Sequence, residues 1–168
     1  FVTPDCQRQY KRLPFGFASS PAIFQRMVDM LLGGTKWVCA VGYIDDIIVY
    51  SDSWADHLKH LQQLLIALRQ ANLQLHPAKC TFGAAVVKYL GHLVSREGIR
   101  ACPSKIQAIL DMPHPTTAKA VQRFVGKCQY YRKFIPDFSS IATPLFKAAT
   151  ARKNFTWTDA CHQAWERL

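Results

Sequence analysis

The segment VGYIDDIIVYS, residues 41 to 51, sets two adjacent aspartates inside an otherwise apolar run. Neighbouring carboxylates repel each other, and apolar flanks make the water that would screen them scarce. Either the pair points outward at a turn or something cationic holds it. Residues 37 to 44 and 47 to 51 are rich in Val, Ile and Tyr and read as strands, with Asp45 and Asp46 left as the connection. The chain is therefore expected to build a β-hairpin whose turn exposes both carboxylates at one edge of a buried sheet.

The flanking sequence supplies what covers that hairpin. Thr3-Pro4-Asp5 is a turn signal and leads to an expected strand from Gln9 to Leu13. In LPFGFASSPAIFQRMVDMLL, Ser19 or Ser20 can cap a helix and Pro21 suits its first turn. Ile23, Phe24, Met27, Val28 and Leu31 recur at helical spacing, and Gly33-Gly34 stops the helix. Ser53 to Leu73 is the clearest helix. Ser53 with Asp56 resembles a capping box, and Leu58, Leu61, Leu65 and Leu68 form the stripe expected to cover the sheet. His57 and His60 have no further ligand beside them and are read as facing solvent. Short strands or loops follow to about residue 100, and this alternation of helices with strands indicates an α/β or α+β lobe.

Beyond Cys102-Pro103 the character changes. PSKIQAILDM, TTAKAVQRFVGKCQYYRKF and SSIATPLFKAA read as helices, separated by Pro113, Pro115, Pro136 and Pro144. Thr116 or Thr117 can cap the second. This gives a small helical lobe with its boundary near residue 101. A last stretch begins with NFTWTDACHQAWERL, where Thr158 can cap a final helix.

Charge narrows the partners. Lys and Arg number 21 against 11 Asp and Glu, a formal net charge of +10. Nucleic acid is the usual partner for such a surface, with an anionic membrane surface second. The six cysteines form no CxxC pair, which argues against zinc-ribbon chemistry. Cys39 and Cys128 lie in apolar stretches, where Cys acts as a small hydrophobe, and a reducing intracellular compartment fits best. The sequence holds no apolar run of the roughly 20 residues a spanning helix needs, so no membrane span is expected, and nucleic acid, not membrane, is the expected partner. The chain opens in what reads as mid-strand and ends inside a helical pattern, so a piece of a longer polypeptide is expected.

These residues carry a family pattern. YIDDIIVYS resembles the YxDD box of reverse transcriptases, and LPFGFASSPAIFQ resembles the segment that precedes it. HLKHLQQLLIALRQANLQLHPAKCTF, YLGHLVSREGI and FVGKCQYYRKFIPDFSSIATPL follow in family order. The set is most similar to the polymerase of gypsy-type long-terminal-repeat retrotransposons. The resemblance implies an α+β polymerase palm over residues 1–101, a helical thumb over 102–150 and the start of a ribonuclease H-like region over 151–168. It implies primer extension on an RNA or DNA template–primer duplex with deoxynucleoside triphosphates, flanking polyprotein domains, and a place in a cytoplasmic particle or the nucleus.

Residue by residue, the resemblance makes Asp45 and Asp46 ligands of Mg²⁺ (or Mn²⁺), with Lys79 near the triphosphate as a third catalytic group. Phe15, Gly16, Gln25 and Tyr43 would lie by the nucleotide and template, Phe15 standing where retroviral relatives often carry Gln. Tyr43 is expected on the strand face of Asp45. Leu90, Gly91 and His92 resemble the primer grip. Arg123, Gly126, Lys127 and Tyr130 resemble the helix that follows the duplex minor groove, with Lys119, Arg132 and Lys133 nearby. The family's third carboxylate has no counterpart in the sequence, so the isolated chain is expected to lack a complete metal site. The rival expectations are a non-catalytic or domesticated nucleic-acid-binding remnant, and a polyprotein segment that only packs against its neighbours.

Overall fold

A computed structural model describes residues 1–151 and 155–168. The expected start of the last stretch, Asn154, lies outside the described residues. The chain forms two compact units, Phe1–Thr81 and Phe82–Leu168. Among the described residues no helix is long and apolar enough to cross a membrane.

In the first unit, α1 (Ser20–Leu32) carries Pro21 in its first turn, and Gly33 ends it at φ +46°. Ser19 makes no side-chain cap; Ser20 Oγ instead donates to the Pro14 carbonyl at 2.8 Å. Val28 and Leu32 are buried, with Phe24, Met27 and Leu31 packed around them. Ile23, expected on that face, is half exposed, because the buried stripe runs through 24, 28 and 32. Strands β1 (Ala40–Tyr43) and β2 (Asp46–Val49) pair antiparallel, with Ala40 opposite Val49 and Tyr43 opposite Asp46. The hairpin exists as expected, but its strands are shorter. Residues 37–39 fold into a turn, held by Trp37 N–H donating to the Ala40 carbonyl at 2.9 Å. At the amino end, Val2 bridges Gln7 around Thr3-Pro4-Asp5, and no strand forms over 9–13.

Helix α2 (Trp54–Gln70) begins as the sequence indicates: Ser53 Oγ accepts from Asp56 N–H at 3.1 Å and donates to the Asp56 carboxylate at 2.6 Å. Its inward face is rotated from the expected stripe. Leu68 is buried, whereas Leu58 and Leu65 are exposed. His57 and His60, read as facing solvent, are half-buried instead, their Nδ1 atoms 3.4 Å and 2.7 Å from Ser51 Oγ, which lies at the end of the hairpin that α2 follows.

The second unit starts with an antiparallel meander, β3 (Val86–Tyr89), β4 (His92–Ser95) and β5 (Gly98–Ala101). Among the described residues, α3 (Pro103–Leu110), α4 (Ala118–Tyr130), α5 (Phe138–Thr150) and α6 (Asp159–Arg167) follow. Thr117 caps α4 and Thr158 caps α6, each hydroxyl accepting a backbone N–H three residues on. Pro144, expected to separate helices, lies inside α5. Burial outweighs its missing N–H: Leu145 and Ala142 beside it are fully buried, and a buried leucine is worth about 1.5–3 kcal/mol. The core joins Val121, Phe124, Val125 and Cys128 of α4 to Ala142, Leu145, Ala148 and Ala149 of α5 and to Cys161 and Ala164 of α6. The meander belongs with these helices, so the compact units divide at 81/82, upstream of the compositional change near 101.

Candidate active site and nucleic-acid interface

The two-residue turn of the first hairpin is Ile44–Asp45, one residue earlier than the sequence suggests, and Asp46 opens β2. Ile44 sits at φ +53°. This is the first loop position of a tight hairpin, where glycine is usual and a β-branched residue is strained. The shift places Tyr43 directly across from Asp46, so these two side chains share a sheet face, in place of the expected Tyr43–Asp45 pairing. Tyr43, Asp45 and Asp46 are all exposed.

The strained turn is gripped from α1. Ile44 N–H donates to Gln25 Oε1 at 2.7 Å, and Gln25 Nε2 donates to the Gly42 carbonyl at 3.1 Å. The same nitrogen donates to Asp29 Oδ1 at 2.9 Å. Both amide protons and the amide oxygen of Gln25 are thus committed within the chain. The helix can come this close because residue 42 is glycine: a Cβ there would meet Val28 Cγ1 at 2.6 Å. Asp29 also pairs with Lys36 Nζ at 2.8 Å. The hydrogen bond from Lys36, then that from Gln25, holds the Asp29 carboxyl below its usual value. Sequence reasoning missed Asp29 and Lys36. The Gln25–Asp29 spacing of four on one helix was the available signal.

The donor set at the turn is two adjacent carboxylates with no nitrogen or sulfur ligand. Among the described residues, no three His, Cys, Asp or Glu side chains come together. Such a set fits a hard divalent cation of the Mg²⁺ type, which takes one or two carboxylates and completes its shell from substrate phosphate and water. Elsewhere in this unit, Phe15 projects fully into solvent beside Gly16 at φ +84°. Lys79 is exposed at the end of the short helical turn Pro77–Lys79.

In the second unit, the β3–β4 turn has Leu90 at φ +45° and Gly91 at φ +73°. Positive φ at both loop residues marks a primed turn. Tyr130 Oη donates to the Leu90 carbonyl at 2.6 Å and Tyr131 Oη to the Gly91 carbonyl at 3.0 Å. His92 Nδ1 lies 2.9 Å from the Leu90 carbonyl, and its ring packs among Tyr130, Tyr131 and Phe134. His92 therefore faces inward, while Leu90 and Gly91 form the turn itself. Tyr131, absent from the sequence reading, is buried, and that burial raises its phenol above the ordinary value.

Helix α4 has a sharp division. Val121, Phe124, Val125 and Cys128 are buried, while Lys119, Arg123, Gly126, Lys127 and Tyr130 are exposed. Lys119, Arg123 and Lys127 recur every fourth residue and line one face. No atom lies within 4 Å of where a Cβ on Gly126 would sit, so nothing inside the described structure requires a small residue there.

Residues 3–94, rather more than half of the chain, match the family described as reverse transcriptase (RNA-dependent DNA polymerase). The retrovirus-related Pol polyprotein from transposon opus of Drosophila melanogaster is 44% identical over 145 residues, covering 86% of this chain and 14% of that protein. The Tf2-3 transposon polyprotein of Schizosaccharomyces pombe is 34% identical over 160 residues, covering 95% of this chain and 12% of that one. Among solved structures, a foamy viral protease-reverse transcriptase in complex with double-stranded DNA superposes with TM-score 0.82 at 29% identity, covering 92% of this chain and 27% of that chain. The same kind of enzyme in complex with an RNA/DNA hybrid gives TM-score 0.80 at 28% identity, covering 94% and 21%. The chain thus spans only a small part of each of these proteins.

Proposed function

Because the chain belongs to the reverse transcriptase (RNA-dependent DNA polymerase) family, we propose that it supplies metal-holding and duplex-gripping elements of a retrotransposon polymerase. That polymerase adds deoxynucleotides to a primer 3′-hydroxyl on an RNA or DNA template. The observation that carries the reading is the Ile44–Asp45 turn, which presents two exposed carboxylates on a hairpin braced from α1.

In this reading Asp45 and Asp46 hold Mg²⁺. A divalent cation held there would supply the positive charge that offsets what develops during in-line displacement at the α-phosphate. The primer hydroxyl attacks phosphorus and gives up its proton to solvent water, while the bond from the α-phosphorus to the bridging oxygen breaks and pyrophosphate leaves. Lys79 then offsets charge on the leaving group or gives it a proton. Phe15 and the flexible backbone at Gly16 border the template and nucleotide, and Tyr43 lies under the primer end on the face it shares with Asp46. Leu90 and Gly91 meet the primer backbone from a turn clamped to α4. The exposed face of α4 lies along the duplex: Gly126 admits close approach, Tyr130 packs on sugars, and Arg123 and Lys127 meet phosphates. The complexes of the foamy viral relatives with DNA and with RNA/DNA hybrid support a duplex ligand.

The test is primer extension on a poly(rA) template with Mg²⁺ and labelled dTTP, in a polymerase that carries this segment. Asp45→Asn is expected to abolish extension while primer–template binding persists. Retained extension would overturn the metal-ligand assignment. Duplex binding without extension by the unaltered protein would favour a nucleic-acid-binding role without catalysis.

A further inference from the structure

The hairpin turn is held in an unfavourable backbone shape. A β-branched residue at positive φ is strained and persists only where its surroundings over-determine it. Here a side-chain amide from α1 restrains the turn from outside the hairpin. Its grip depends on orientation, since a primary amide presents a donor at one end and an acceptor at the other. Flipped, Gln25 would aim its oxygen at the Gly42 carbonyl and at the Asp29 carboxylate, and offer Ile44 N–H no acceptor. The Asp29 carboxylate accepts from Nε2 and so sets the amide in the gripping orientation. Its other oxygen is held by Lys36 at 2.8 Å. Lys36 lies just past the glycines that end α1, with its backbone N–H donating to the Gly33 carbonyl at 3.2 Å.

We propose that Lys36, Asp29 and Gln25 form a positioning chain that fixes the Ile44–Asp45 turn and thereby aims the Asp45 and Asp46 carboxylates. None of the three touches a reacting atom. Lys36 orients Asp29, Asp29 orients the Gln25 amide, and the amide holds both sides of the turn, at Gly42 and at Ile44. The catalytic consequence rests on the reading of this turn as the metal-holding element. The mechanical part stands on the geometry alone.

Two measurements on the polymerase that carries this segment separate the two parts. The first is amide hydrogen exchange of the peptide covering residues 40–49, in metal-free protein. Gln25→Ala, Asp29→Asn and Lys36→Met are each expected to speed exchange there roughly tenfold or more, while α2 and residues 82–151 keep their protection; Lys36→Arg, which keeps the cation, is expected to restore it. The second is steady-state extension. The same three variants should lower kcat about tenfold and raise the Mg²⁺ concentration needed, with primer–template affinity within about twofold of the parent. Unchanged exchange in Asp29→Asn and Lys36→Met would overturn the chain. Faster exchange with unchanged kcat and Mg²⁺ requirement would overturn its catalytic role. Should Asp45→Asn retain extension, the metal-holding reading fails, and the exchange data still decide the mechanical chain by themselves.

Discussion

Tyr131 Oη donates a 3.0 Å hydrogen bond to the carbonyl of Gly91, forty residues earlier in the chain. The bond ties the end of α4 to the β3–β4 turn, and Gly91 is what admits it. A Cβ at position 91 would lie 3.2 Å from that phenol oxygen, on a backbone at φ +73°. Removing the hydroxyl from a buried ring leaves the carbonyl without this partner, at a net cost near 1 kcal/mol. Tyr131→Phe is therefore expected to lower unfolding free energy by about 1 kcal/mol. Gly91→Ala should cost more, about 1–3 kcal/mol, because it adds left-handed strain to the crowding. Urea titration followed by intrinsic fluorescence checks both, and equal stability of Tyr131→Phe would show that the hydroxyl does not hold the turn.

Gly126 separates stability from binding. A glycine within a helix costs about 0.5–1 kcal/mol relative to alanine, and here no neighbour would meet the added methyl. Gly126→Ala is expected to stabilise the protein by that amount. If α4 lies against a duplex, the same methyl obstructs close approach, so affinity for primer–template should fall about tenfold. Thermal melting and a fluorescence-anisotropy titration measure the two effects. A variant both more stable and equally tight would remove α4 from the duplex interface.

Much of this arrangement is legible in the residues. The apolar flanks of Asp45 and Asp46 announce a hairpin, and Ser53, Thr117 and Thr158 act as caps because their hydroxyls stand three residues before an unpaired N–H. The exact turn was not legible. Two aspartates make better turn residues than an isoleucine, and Ile44 takes the position with its N–H donated to Gln25, nineteen residues away. The inward face of α2 was hidden for a related reason. Leucine spacing predicts a stripe, but His57 and His60 are drawn toward Ser51, which rotates Leu58 and Leu65 outward. Pro144 reads as a break because local propensity opposes it, whereas burial of its neighbours in the core outweighs that preference.

Cys128 gives the helical unit a base-sensitive core. Its thiol is buried between α4 and α5, and desolvation pushes it up from the ordinary 9.0 to about 11. The folded state thus favours the neutral thiol. This contribution is fully present below pH 9 and is lost as pH rises from 9 through 11. The expected loss is about 1–2 kcal/mol once partial screening is allowed for. Cys128→Ala should be less stable at neutral pH but should lack this part of the alkaline slope. Parallel slopes in urea titrations across that range would show that the thiol stays protonated in neither state preferentially.

At the other end of the pH scale, Asp29 contributes to the behaviour of the first unit. Lys36 and Gln25 hold its carboxyl below the ordinary 3.8, so the folded state favours the charged form. That stabilisation is present above the unfolded value and disappears as pH falls through the lower folded one. Protonation also weakens the acceptor that orients Gln25, so the grip on Ile44 should loosen over the same acid range. The difference in unfolding free energy between the parent and Lys36→Met is therefore expected to be largest near neutrality and to shrink as pH falls through the lowered folded value of Asp29. Equilibrium unfolding of both proteins at a series of pH values, from neutrality down into the range where Asp29 is protonated in the folded state, measures it. A difference that persists in acid would mean that Lys36 acts through its packed alkyl stem, and that its charge on Asp29 contributes nothing to the hold on the turn.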